Sequence, residues 1–247
     1  VVHFGNAKNL EEAKQKILEK IESENLHFVY YDIELSIFPA INEMGVHGVM
    51  VDVDYLQKLS KEYHETLKET EKKIFSLAGH EFNIASPKQL GVVLFDELML
   101  TGGKGVKMKK TAGGARSTNV KELEKLAGAH PIIPEIFKHR ELSKLLSTYI
   151  DVLPRLVQED GRIHAKFIQA GTTTGRFSSQ DPNLQNLPVK TELGKNIRNA
   201  FIAPKGSKLV SFDYSQIELR VAALLSQDDF LIKVFNEKKD IHSAVAM

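Results

Sequence analysis

The sequence predicts an α+β chain, mostly helical at first and mixed afterwards, on three observations. Up to Leu153, apolar residues recur every three or four positions, as successive amphipathic helices require. From Arg162 the period shortens to two, which sets Ile163, Ala165 and Phe167 on one side of a strand. Residues 208–220 read KLVSFDYSQIELR: Leu209, Val210 and Phe212 form a short apolar run, expected as a buried strand ending at Asp213. Ile217, Val221, Leu224 and Leu225 then share one helical face.

Taken in order, residues 9–25 predict a helix in which Asn9 and Glu12 have the spacing of a capping box. Its apolar face is Leu10, Ala13, Ile17 and Ile21. Ile33, Ile37, Ile41 and Met44 mark a short helix, expected to be interrupted near Pro39. After two glycines and a β-branched run, Asp52 or Asp54 caps a long helix carrying Leu56, Leu59, Tyr63, Leu67, Ile74 and Leu77, which Gly79 ends. Its Lys and Glu face reads as solvated.

Ser86-Pro87-Lys88-Gln89 is a helix start, with Ser at the cap, Pro at the first helical position and Gln three residues on. Leu90, Val93, Leu94 and Leu98 form its buried side. Between Thr101 and Lys121 stand six cations (Lys104, Lys107, Lys109, Lys110, Arg116 and Lys121) and no acidic residue. With five glycines and little apolar area this stretch is expected as a mobile loop, suited to a phosphate backbone or simply solvated. Residues 119–126 predict another capped helix. A longer one runs past Pro131 and Pro134 to about Leu153, with Ile136, Leu142, Leu145, Leu146, Tyr149 and Leu153 inward and His139 and Arg140 at the surface. Residues 172–188 have many polar side chains and little periodicity, which predicts a loop. Asp228 or Asp229 caps a helix containing Phe230, Leu231, Val234 and Phe235, and Asp240 begins the last one.

Composition narrows the function classes. With 42% hydrophobic and 26% charged residues the chain is globular in type, long enough for a sizeable core in one or two domains. No apolar run approaches the roughly 20 residues that span a bilayer, so no membrane partner is expected. Zero cysteines exclude disulfides and Cys-ligated zinc and suit an intracellular protein, expected in the cytoplasm. None of the nine histidines has metal-ligand spacing, and no zinc is assigned. The net charge of +1 announces no polyanion partner, while the basic stretch after Thr101 does so locally.

Asp213 carries two readings. A carboxylate between a strand end and a helix start can hold a hard cation, and Asp before an apolar-periodic run is also an ordinary helix cap. Read with TTTGRFSSQDPNLQNLP at 172–188, the stretch DYSQIELR resembles the first palm motif and the upstream primer-template motif of family A DNA polymerases, the bacterial DNA polymerase I type. The likeness continues through IRNAFIAP at 197–204 and DIHSA at 240–244, and more weakly back to Tyr31.

That resemblance implies three regions. Residues 1–30 would be the tail of an exonuclease-like domain, 31–160 the thumb-containing start of the polymerase domain, and 161–247 the first part of a mixed palm with an antiparallel sheet. The fingers and the rest of the palm would lie outside. It implies template-directed DNA synthesis by two-metal phosphoryl transfer, with two Mg²⁺ ions, primer-template DNA and deoxynucleoside triphosphates as partners, and a nucleoid-associated location. Asp213 would be the catalytic carboxylate and, with the Tyr214 carbonyl, a metal ligand. Glu218 would be the steric gate against a ribose 2′-OH, and His242 and Gln216 would join it at the nucleotide.

Arg176, Asn183, Gln185 and Asn186 would meet primer and template, and Lys107, Lys109 and Lys110 would stand at the thumb tip. Minor-groove acceptors occur on every base pair, so Arg or Gln donors there can test pair shape without reading sequence. The second carboxylate, in a His-Asp-Glu motif, is absent from this sequence, as is the Arg-x-x-x-Lys fingers helix. The helix begun at Asp240 has few residues after it, so the expectation is a longer parent chain and no polymerase activity from these residues alone. The alternatives are a non-catalytic DNA-binding module, or one half of a split polymerase that works with a C-terminal partner chain.

Overall fold

Asp52 opens the longest helix of the computed structural model, which describes residues 7–101, 109, 110, 113, 114 and 116–246. Helices α1 (Leu10–Ser23) and α2 (Leu35–His47) precede it, joined through a wide π-helical turn at Phe28–Glu34. Strand β1 (Val49–Val51) leads into α3 (Val53–Ala78). Asp52 accepts from the Tyr55 N–H at 2.8 Å, and Gly79, at φ 84°, ends α3 by donating to Phe75. After α3 come α4 (Pro87–Val92), α5 (Val120–Glu124), α6 (Ile132–Leu145) and α7 (Leu153–Leu156). Helices α4 and α6 each run on into a wide turn, Val93–Glu97 and Leu146–Ile150.

Two apolar clusters are strung along α3 and α6. Leu56, Leu59 and Tyr63 meet Leu142, Leu145, Tyr149 and Leu153 at one end. Ile74 meets Leu90, Leu94, Leu123, Ile132 and Ile136 at the other. Each fully buried Leu or Ile contributes on the order of 2 kcal/mol, so the expected apolar faces hold this pair of helices together.

Strands β2 (Arg162–Ile163), β3 (Lys166–Ile168), β4 (Ser178–Gln180) and β5 (Phe201–Ile202) and helix α8 (Glu192–Arg198) complete the first unit, Val1–Gly206. β1 lies between β2 and β5 in an antiparallel sheet, with Val49 opposite Ile163 and Val51 opposite Phe201. Gly48, at φ 61°, permits the approach: a Cβ there would stand 2.7 Å from the Ile163 carbonyl oxygen. β3 and β4 form a separate antiparallel pair, with Phe167 opposite Ser179.

The second unit, Ser207–Met247, holds α9 (Ile217–Ser226), α10 (Asp229–Asn236) and α11 (Ile241–Ala246). Arg220 fastens α9 to α10, with its guanidinium 4.6 Å from the Phe235 ring centre and its Nε donating to the Ser215 carbonyl. Asp228 caps α10, accepting from Leu231, and Asp240 accepts from the Ser243 N–H.

Several expectations are corrected. Leu209, Val210 and Phe212 form no strand: Phe212 is 93% exposed, and no strand among the described residues pairs with this run, so its backbone groups are not drawn into a ladder. Asp213 is not the cap of α9, because Gln216 occupies that position, at φ 54° and with no side-chain cap bond. Pro39 lies within α2, and the departure from regular α-helix falls before it, in the wide turn. The single strand expected from Arg162 is broken between Ile163 and Lys166, although Ile163 and Ala165 are buried as its period requires. β4 lies inside the expected loop. His139 is buried and pairs with Glu71 at 3.3 Å across α3 and α6, and the half-buried Arg140 donates to the Thr118 carbonyl at 2.6 Å. The expected surface pair is therefore tied into the interior. Among the described residues no helix is long and apolar enough to cross a membrane.

Candidate functional site

Within the polar segment 172–188, residues 182–187 face by turns inward and outward. Leu184 and Leu187 pack against the core that contains Tyr149, while Asn183, Gln185 and Asn186 are exposed. Leucines seated on a helical core fix which face of the segment turns in, so the amides turn out. The turn is organised from within: the Asn183 side-chain amide oxygen, Oδ1, accepts from the Gln185 N–H at 3.0 Å. Buried Ser179 on β4 holds its start, donating to the Pro182 carbonyl and accepting from the Leu184 N–H. Arg176 is exposed in the turn between β3 and β4, where Thr172 donates to its carbonyl at 2.8 Å.

Three tyrosines fasten this region to the helices. Tyr149 donates to the Asn186 carbonyl at 2.5 Å, Tyr63 to Leu193 at 2.8 Å and Tyr55 to Asn196 at 3.0 Å. Asn196 in turn donates to the Tyr63 hydroxyl, and burial pushes the Tyr63 phenol up from its ordinary value. The sequence marks Tyr63 and Tyr149 as core positions, but nothing in it pairs their hydroxyls with carbonyls that lie 130 and 37 residues away.

Of the basic stretch, Lys104 and Lys107 lie outside the described residues, as does most of the expected mobile loop. Lys109 and Lys110 are exposed. The backbone there is ordered by pairing: Lys110 bridges Arg116, and the Ser117 N–H donates to the Lys109 carbonyl. The Lys109 N–H donates to buried Glu122, which also binds Lys125. Arg116 is ion-paired to Asp96 and stacked 4.7 Å from the Phe95 ring centre, so its charge is committed within the fold. A cleft beside these elements is lined by Lys88, Lys110, Arg116 and Arg140.

In the second unit, Asp213 and Tyr214 lie in the irregular stretch before α9, both exposed. Glu218 is exposed in the first turn of α9. Gln216 is half-buried, and His242 falls in α11, with its side chain outside the described residues. The Asp213 carboxylate and the Tyr214 carbonyl are hard oxygen donors, right in kind for a divalent cation. They fall short in number: among the described residues no group of three His, Cys, Asp or Glu side chains could hold a metal ion.

Comparison with known proteins covers nearly the whole chain. The profile described as DNA polymerase family A matches residues 53–247. A thermostable DNA polymerase I of Thermus thermophilus is 50% identical over 239 residues, which is 96% of this chain and 28% of that protein. DNA polymerase I of Treponema pallidum is 46% identical over 92% of this chain and 22% of its own length. Among solved structures, the polymerase domain of Pol1 from M. smegmatis, in complex with DNA primer-template and dNTP, superposes with a TM-score of 0.82 at 37% identity. That match covers 92% of this chain and 40% of the other. The chain thus spans under a third of the length of these curated relatives.

Proposed function

This chain belongs to DNA polymerase family A, and we propose that it forms part of a DNA-directed DNA polymerase that extends a primer with deoxynucleotides. The observation that carries the reading is the family match over residues 53–247, within which segment 172–188 turns its amides outward from a fixed core. In this reading residues 1–30 lead into the enzyme, 31–160 contain the thumb and 161–247 begin the palm. Primer-template DNA lies against Arg176, Asn183, Gln185 and Asn186, where amide and guanidinium donors reach groove acceptors common to all base pairs. Lys107, Lys109 and Lys110 add sequence-independent attraction to phosphates.

Glu218 takes the place of the sugar gate: a carboxylate in the first turn of α9 would crowd a 2′-hydroxyl. Gln216 and His242 stand with it at the incoming triphosphate. The Asp213 carboxylate and the Tyr214 carbonyl would hold Mg²⁺, which when bound supplies positive charge to reacting phosphate oxygens. One carboxylate does not complete a two-ion site, so these residues alone do not polymerise. They contribute the primer-template contact and the first metal oxygen of a larger enzyme that works on DNA in the cytoplasm, at the nucleoid.

Fluorescence anisotropy of the 247-residue chain on a primed template tests this. Binding that weakens on Arg176→Ala and falls with salt is the expected result. Affinity unaffected by Arg176→Ala would remove the primer-template assignment.

A further inference from the structure

We infer that Tyr149 is the positioning residue of the DNA-contact turn 182–188, an inference resting on the reading that this turn meets primer-template. The turn has two anchors. On the β4 side Ser179 holds Pro182 and Leu184. On the helical side the only hydrogen bond between α6 or its wide turn and segment 172–188, among those described, is that of Tyr149 to the Asn186 carbonyl, at 2.5 Å. The exposed side chains of Asn183, Gln185 and Asn186 lie between or at these anchors.

Leu184 and Leu187 decide which face turns inward, but apolar contact is non-directional and lets a turn slide along its seat. A hydrogen bond has a preferred distance and angle, and so it fixes where along the seat the turn rests. Tyr149 is only 7% exposed, packed in the cluster that joins α3 to α6, so the hydroxyl is presented from a rigid support. Recognition by side-chain amides needs placement within a fraction of an ångström, and the Tyr149 hydroxyl sets the backbone that carries them.

Tyr149→Phe keeps the ring and removes the bond. Affinity for a primed template should fall about fivefold, the effect of losing one typical hydrogen bond's worth of placement. The salt slope should not change, because no cation is lost. Amide exchange at Leu184 and Gln185 should accelerate while exchange in α6 does not, a readout independent of DNA. In the background of Asn183→Ala, Gln185→Ala and Asn186→Ala together, Tyr149→Phe should have no further effect on binding. Wild-type affinity in Tyr149→Phe, unaltered exchange in the turn, or an undiminished effect in the triple background overturns the assignment. Wild-type affinity in the triple variant itself removes the contact reading of the turn and the Tyr149 inference with it.

Discussion

The Tyr63 hydroxyl donates to the Leu193 carbonyl at 2.8 Å, from the middle of α3 to the second residue of α8. The same oxygen accepts from Asn196 at 3.2 Å, so one phenol serves two partners on α8. Ile197, on the buried side of α8, packs into the cluster around Tyr63. This is how the long helix holds the segment that follows the turn at 182–188. Tyr63→Phe should lower unfolding stability by about 1–2 kcal/mol, since the Leu193 carbonyl loses its donor and Asn196 its acceptor. Urea denaturation measures it, and a change near zero would mean that water replaces the hydroxyl without loss.

Glu122 makes the fold acid-sensitive in one place. Its bond to Lys125, and then the Lys109 N–H, hold its carboxyl below the ordinary 4.5. The unfolded chain therefore takes up this proton first as pH falls. The stabilisation is complete above about 4.5 and is lost as pH drops through the lowered folded value. Glu122→Gln should be less stable than wild type at pH 7 and should close that gap on acidification. Melting temperatures from pH 7 to 3 decide it, and parallel curves would count against the assignment.

Lys109 and Lys110 are exposed beside a backbone that Glu122 and Arg116 hold in place. Replacing both by Ala should weaken DNA binding equally on unrelated sequences. The salt slope should flatten by about 0.9 for each phosphate contact removed. Titrations at several salt concentrations would show an unaltered slope if these cations do not face DNA.

Asp213 makes no cap bond to α9, so Asp213→Asn should leave the melting temperature of the chain unchanged. In a complete polymerase carrying this segment, the same change should reduce primer extension at least about a hundredfold, as expected when charge stabilisation at a reacting centre is lost. An active Asn variant would exclude Asp213 as the metal carboxylate.

Glu218→Ala in that complete polymerase should raise ribonucleotide incorporation relative to deoxynucleotide incorporation, because it removes a clash and no metal oxygen. Single-nucleotide kinetics compare the two sugars, and an equal fall for both would make Glu218 structural.

Helices α3, α4 and α6 were legible in the sequence because their signals are local. Asp52, Ser86 and Gly79 act within a few residues of the helix ends they define, and Leu56, Leu142 and Leu145 advertise a buried face by spacing alone. The motif residues Arg176, Asn183, Gln185 and Asp213 were legible as residue types in order. Tertiary structure decided the rest. The three-residue strand β1 becomes the centre of a sheet only because β2 and β5, more than a hundred residues later, supply its partners. Tyr149 becomes an anchor only where the chain brings the Asn186 carbonyl to it. Leu209, Val210 and Phe212 have a strand's composition and pair with no strand among the described residues, since a strand exists only through hydrogen bonds to a neighbour, and no run of side chains encodes one by itself.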